Sequence, residues 1–254
     1  MFYWDSTYFL VLIGAVISLI ASSNVTRTFN KFKTVPNARR LTAEAVAANI
    51  LRLSGITDVR IEPIKGNLTD HYSPTEKVLR LSDSVYGQTS VAALGVAAHE
   101  CGHAIQHHVG YAPLKLRSLS VPAANFGAKL SWPLILIGIL MGNTGLAQAG
   151  VLLFSFVVAF QLITLPVEFN ASRRAMSILR DANILYGEEL TGAQKVLSAA
   201  ALTYVAAVAS SLLQLLRLVL LTRRSRRWPY EKWGCPPDIL IFYSLTAGFP
   251  VLLG

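Results

Sequence analysis

Four of the chain's five histidines fall in one run, GVAAHECGHAIQHHVG, residues 95–110. His99 and His103 are four apart, with Glu100 directly after the first. In a helix, residues four apart project from nearly the same side, one turn along. Two neutral imidazoles can then meet one cation, while Glu100 stands beside it without competing as a ligand. Nitrogen donors suit zinc, which needs no redox partner. Chance placement in a chain of this composition gives H-E-x-x-H only roughly 0.003 times, so the spacing points to a metal site rather than to a histidine-bearing helix face.

A zinc centre that does chemistry takes three protein ligands and leaves a fourth position open. A longer zinc helix would carry Gly three and His six residues after the second histidine. Gln106 and Val109 stand there, which excludes that class. His107 and His108 lie a turn further on and are expected to face solvent or headgroups. The alternative third ligand is a Glu on another helix, and LPVEFNASRRAM offers Glu168. Two predicted spans separate His103 from Glu168, an even number, so both return to one face of a membrane. An ion pair of Glu168 with Arg173 or Arg174 is the alternative use of that carboxylate, and Asp181, Glu188 and Glu189 are further carboxylates on the same side.

The elements that must position these residues are mostly apolar. Of 254 residues, 53% are hydrophobic and 15% charged, well below the quarter charged of a usual soluble domain, so a membrane protein is expected. The net charge of +9 falls beside apolar runs, as membrane flanks do. With no basic face of interleaved aromatics and no nucleic-acid motif, the partners expected are the bilayer and a substrate, not nucleic acid. Two cysteines, Cys101 and Cys235, make no disulfide framework and fit a reduced compartment.

Along the chain, residues 1–24 read as an N-terminal transmembrane anchor. MFYWD lacks the basic start of a cleaved signal, and Arg27, Lys31, Lys33, Arg39 and Arg40 follow the apolar run. By the positive-inside tendency these lie in the cytoplasm. Residues 25–118 read as a cytoplasmic α+β region. Thr42 caps a helix that stops at Gly55, DVRIEPI is a half-buried strand, LTDHY and KVLRLS are two short strands around Ser73-Pro74, and the histidine helix runs from about 90 to 108. Residues 119–166 form a two-span hairpin, kinked at Pro133, and 167–196 a helical segment with the third ligand. Residues 197–227 form a transmembrane helix with a basic flank, and 228–254 are a tail to which no role is given. Counting spans sets Arg223, Arg224, Arg226 and Arg227 outside, against the charge tendency, unless the last helix does not cross, the first segment is not a full span, or the tendency fails locally.

SVAALGVAAHECGHAIQ, the preceding TDHYSP, and LPVEFNASRRA together resemble the bacterial neutral zinc metallopeptidases of the membrane, the YugP-like family, from the first span to about residue 221. More distantly the arrangement is similar to the HtpX-type gluzincin membrane proteases, with H-E-x-x-H, a two-span hairpin and then a Glu. The resemblance implies His99, His103 and Glu168 as ligands of one Zn2+ per chain and Glu100 as the catalytic carboxylate. Four residues after its Glu the distant pattern has Asp, where this chain has Ser172. Support of a ligand histidine then falls to Ser172 or Asn170.

The fold expected is mainly α, a multi-pass membrane protein with a small α+β zincin-like catalytic region made of the HExxH helix and short strands. The function expected is that of a membrane-embedded metalloendopeptidase of the inner (cell) membrane, its active site on the cytoplasmic face. It would hydrolyse peptide bonds of a peptide or protein substrate with zinc-activated water and Glu100 as general base. His71 and Tyr72 are the candidates for oxyanion or substrate contacts. The rival class is a non-catalytic zinc-binding membrane scaffold or regulator, for which an intact Glu100 has no use. A transporter is disfavoured, because residues 7–22, 132–142 and 147–165 hold no ionisable side chain.

Overall fold

A computed structural model describes residues 7–225, so Arg226, Arg227 and the tail 228–254 with Cys235 lie outside the described residues. The apolar run at the start is helical and does not stop where its polarity rises. α1, Tyr8–Lys33, continues through Asn24, Thr26 and Thr28 to a basic last turn. α2, Ala43–Leu53, places Val46, Ala47, Ile50 and Leu51 on one buried face. Thr42 stands extended at the N-cap position, but its side chain makes no capping hydrogen bond, and Gly55 with φ +72° turns the chain away, a conformation costly for a residue with a Cβ.

Three short strands follow: β1, Arg60–Ile64; β2, His71–Ser73; and β3, Val78–Ser82. β2 and β3 pair antiparallel, Tyr72 opposite Leu79. β1 pairs parallel with β3, Ile61 opposite Leu79. The order is therefore β1-β3-β2, which leaves β2 at an edge. The central strand carries Val78, Leu79 and Leu81 fully buried, as a strand covered on both sides requires.

α3, Val91–His108, begins where the Ser90 side chain accepts a bond from the Ala93 backbone N–H, a cap that satisfies a free helical donor. Ala92, Ala93, Ala97, Ala98, Cys101 and Gly102 are all buried. Small residues around most of its circumference let this helix sit at the centre. It packs against Val46 and Ile50 of α2, Leu79 of β3, and Leu179 of a later helix.

The remaining helices are long. α4, Ala112–Leu140, runs through Pro122 and Pro133. α5, Thr144–Asp181, opens with Asn143 capping the Leu146 N–H and runs through Pro166. α6 is Gly187–Ser225. Glu168 therefore lies on the same helix as the span before it, because α5 leaves the apolar stretch without a break and continues against α3. α1, α4, α5 and α6 are each long and apolar enough to cross a membrane. The mainly helical architecture with four candidate spans and a small sheet agrees with the expectation.

Candidate metal centre

α3 and α5 meet at Gly102. A Cβ built there would stand 2.5 Å from the Ala171 carbonyl oxygen, so the two backbones approach more closely than any other residue permits. Three residues before this contact and one after it, α3 presents His99 and His103, and α5 likewise presents Glu168 and Ser172. The imidazoles lie edge to face, ring centroids 4.8 Å apart. Their Nε2 atoms stand 3.3 and 3.6 Å from Oε2 of Glu168.

That oxygen is buried and accepts no hydrogen bond, a costly state for a carboxylate unless a cation is shared. Tetrahedral zinc with bonds of ~2.0–2.1 Å would separate its donor atoms by about 3.3–3.4 Å. One ligand atom from each of His99, His103 and Glu168 lies within 4.8 Å of the others. Two nitrogens and one carboxylate oxygen at this spacing fit a zinc ion. Neither Arg173 nor Arg174 takes Glu168: Arg174 instead donates from Nε to Asn170 Oδ1 at 2.8 Å.

The far side of each imidazole is tied as well. His99 Nδ1 lies 3.0 Å from Ser172 Oγ. His103 Nδ1 lies 3.1 Å from Gln106 Oε1, and Gln106 Nε2 donates to the Val167 carbonyl at 2.8 Å and to Asn170 Oδ1 at 3.0 Å. Ser172 thus touches His99 directly, and Asn170 reaches His103 only through Gln106. The sequence offered Gln106 merely as the residue standing where a longer zinc helix has glycine. Its position three after His103, on the same helical side, was the available signal.

Glu100 is buried beside the three. Burial pushes its carboxyl up to about 7, with the His99 ring opposing and the nearby Asp70 and Glu168 carboxylates adding to the rise. The Tyr72 backbone N–H faces it and favours the charged form. A carboxyl poised near neutrality can take a proton and give it back.

All four side chains line one cavity of about 260 Å³. His71 and Tyr72 of β2 line it too. The His71 ring bonds the Thr69 carbonyl at 3.0 Å. The Tyr72 hydroxyl meets Nδ1 of His107 at 2.9 Å, while His107 itself is exposed, as expected of it. Val25 and Phe29 of α1, Leu114 and Val121 of α4, and Tyr204 of α6 close the other walls. Tyr204 interacts with the carboxylates of Glu168 and Glu100; a lone tyrosine in an apolar span was its only mark in the sequence. Cys101 points away, its thiol toward the Ala47 carbonyl, and burial pushes it up out of the reactive range.

Comparison with known proteins agrees with this geometry. The family described as "Putative neutral zinc metallopeptidase" matches residues 7–223. The chain is 45% identical over 218 residues to "Putative membrane protease YugP" of Bacillus subtilis (strain 168), covering 86% of this chain and 97% of that protein. No solved structure matches the chain. With the family matched over most of its length and four apolar helices, this membrane protein belongs to the neutral zinc metallopeptidase family represented by YugP.

Proposed function

We propose that the chain is a membrane-embedded zinc metalloendopeptidase of the gluzincin kind, with a zincin-like catalytic region built from α3 and the small sheet. The observation that carries the reading is the meeting of His99, His103 and Glu168 around one buried, unbonded carboxylate oxygen, with Glu100 in the same cavity. One zinc ion per chain would be held by those three side chains. When bound, zinc lowers the pKa of a coordinated water to about 7 and polarises a carbonyl.

The chain's own groups supply the rest. Glu100 takes the proton from the attacking water and delivers it to the leaving amine. β2 is an edge strand beside the zinc helix, so an extended peptide can be held along it by strand addition. His71 and Tyr72 on that strand are placed to contact the substrate or its oxyanion. Val25, Phe29, Leu114 and Val121 keep the opposite walls apolar, which strengthens electrostatic contacts inside. The active-site face is assigned to the cytoplasm of an inner (cell) membrane, because Arg27, Lys31 and Lys33 end α1 on that face. The substrate class is a peptide or protein, and one resident in or at the membrane suits the walls.

The test compares purified native chain with Glu100→Gln and Glu168→Ala. Glu100→Gln is expected to keep a stoichiometric zinc ion and to lose hydrolysis of a casein-type substrate by at least about 100-fold. Glu168→Ala is expected to lose the ion. Cleavage by Glu100→Gln at the native rate would reject the base. Zinc held by the native chain and by Glu100→Gln, with no cleavage by either, would favour the scaffold.

A further inference from the structure

The two histidines are not equivalent, and the difference lies in what stands behind each ring. Behind His99 is the Ser172 hydroxyl, which can donate or accept and so imposes no protonation state. Behind His103 is the amide of Gln106, which has no exposed surface and whose two ends cannot be exchanged. Its nitrogen faces the Val167 backbone carbonyl at 2.8 Å, a group that can only accept. It also faces Asn170 at 3.0 Å. The Asn170 atom there must be oxygen, because it takes the Arg174 Nε–H at 2.8 Å and that nitrogen can only donate. The Arg174 guanidinium in turn lies over the Tyr111 ring, 6.0 Å from its centroid.

Each orientation follows from the one before it. Arg174 turns the Asn170 oxygen inward. Asn170 and the Val167 carbonyl together turn the Gln106 nitrogen toward α5. The Gln106 oxygen is left facing His103 Nδ1 at 3.1 Å. An amide oxygen only accepts, so the proton of a neutral His103 sits on Nδ1 and its Nε2 is a bare lone pair, 3.6 Å from Glu168 Oε2.

We propose that Gln106 is a positioning residue that fixes the tautomer of His103, so that one ligand is always ready for the ion while His99 adjusts. Asn170 and Arg174 act through Gln106 and touch neither metal nor substrate. This rests on the reading of the site as a zinc centre, but the tautomer can be measured without metal.

The experiment uses the full-length purified chain. Nitrogen NMR of the imidazoles in metal-free protein at pH 8 reads which ring nitrogen carries the proton, and chelator competition reads zinc affinity. In native protein His103 is expected in the Nδ1–H form alone. Gln106→Met keeps the volume and removes the acceptor; it should show a tautomer mixture and a zinc affinity lower by about 10-fold or more, the usual range for such partners. Gln106→Glu keeps an accepting oxygen toward His103 and should restore both readouts to within about 3-fold of native.

An Nε2–H form of His103 in native protein overturns the proposal, whatever the metal does. Native affinity in Gln106→Met overturns it, and so does an equal loss in Gln106→Glu, which would reduce Gln106 to packing. If Gln106→Met does not fold, Arg174→Met, at a partly buried position off the site, carries the test. A several-fold fall there supports the relay, and an unchanged affinity and tautomer overturn it. A native chain that binds no zinc but holds His103 as Nδ1–H would fail the metal reading and leave the positioning role standing.

Discussion

At the scale of single residues, the site depends on an atom that is missing. Adding the methyl of Gly102→Ala would bring a Cβ to 2.5 Å from the Ala171 oxygen and 3.1 Å from its carbonyl carbon, both backbone atoms on α5. Neither can rotate away, so the helices must part. α3 carries both imidazoles and α5 carries Glu168, so a separation of a few tenths of an ångström opens the ligand triangle directly. Gly102→Ala should cost about 1–3 kcal/mol of stability, the range for overpacking a filled interior, and weaken zinc about 10-fold or more. Gly95→Ala is the comparison on the same helix. Its Cβ would meet Ala193 at an ordinary 3.5 Å, so it should keep the metal and gain a few tenths of a kcal/mol from helix propensity. Thermal unfolding and chelator competition on the pair read both effects. Equal behaviour of the two variants would dissociate the close approach from the site.

At the scale of elements, the hairpin that brings Glu168 back repeats the device further along. On α5, a Cβ at Gly150 would meet Ile135 Cγ1 at 2.6 Å and the Ser131 oxygen at 2.7 Å; on α4, one at Gly127 would meet the Leu153 oxygen at 2.7 Å. Small residues at helix crossings in a bilayer let backbones touch where no hydrophobic force drives them together. Gly150→Val should therefore lower the unfolding temperature by an amount worth about 1–3 kcal/mol. Gly150 precedes Glu168 by 18 residues, about 27 Å along the helix, so zinc stoichiometry should be unchanged. Loss of the ion there would mean that the hairpin is strained as one body. Local elements were legible in the sequence because their signals are local. The α2 start at Thr42 and its glycine stop, the β2–β3 pair around Ser73-Pro74, and α3 with its H-E-x-x-H all declare themselves within a few residues. Glu168 became legible by counting spans. What could not be read depends on contacts across the fold. The parallel pairing of β1 with β3, the continuity of α5 past Pro166, and the roles of Gly102 and Gln106 each need a partner dozens of residues away.

At the scale of the whole molecule, the helix contacts fix which ends share a face. Phe29 near the end of α1 packs with Ala92 of α3 and Val196 of α6. At the other end, Gly14 and Ser18 of α1 meet Ser210 of α6, and Arg217 of α6 lies over the Tyr8 ring. The sheet, α3, the start of α4, and the end of α5 thus gather with the end of α1, while the α4–α5 turn and the end of α6 lie opposite. This separates two questions that charge counting had joined. His99, His103 and Glu168 share a face whichever way the protein is inserted, but insertion itself pits Arg27, Lys31 and Lys33 against Arg223 and Arg224 at the end of α6. Single cysteines at exposed Lys65 and Met141, in a Cys235→Ser background that leaves only buried Cys101, can be labelled in cells with a membrane-impermeant maleimide. Met141→Cys should react in intact cells and Lys65→Cys only after permeabilisation. The reverse pattern would turn the active site outward and leave its geometry untouched. Reaction of both from one side would mean that the hairpin does not cross, and Glu168 would then have to reach the histidines without it.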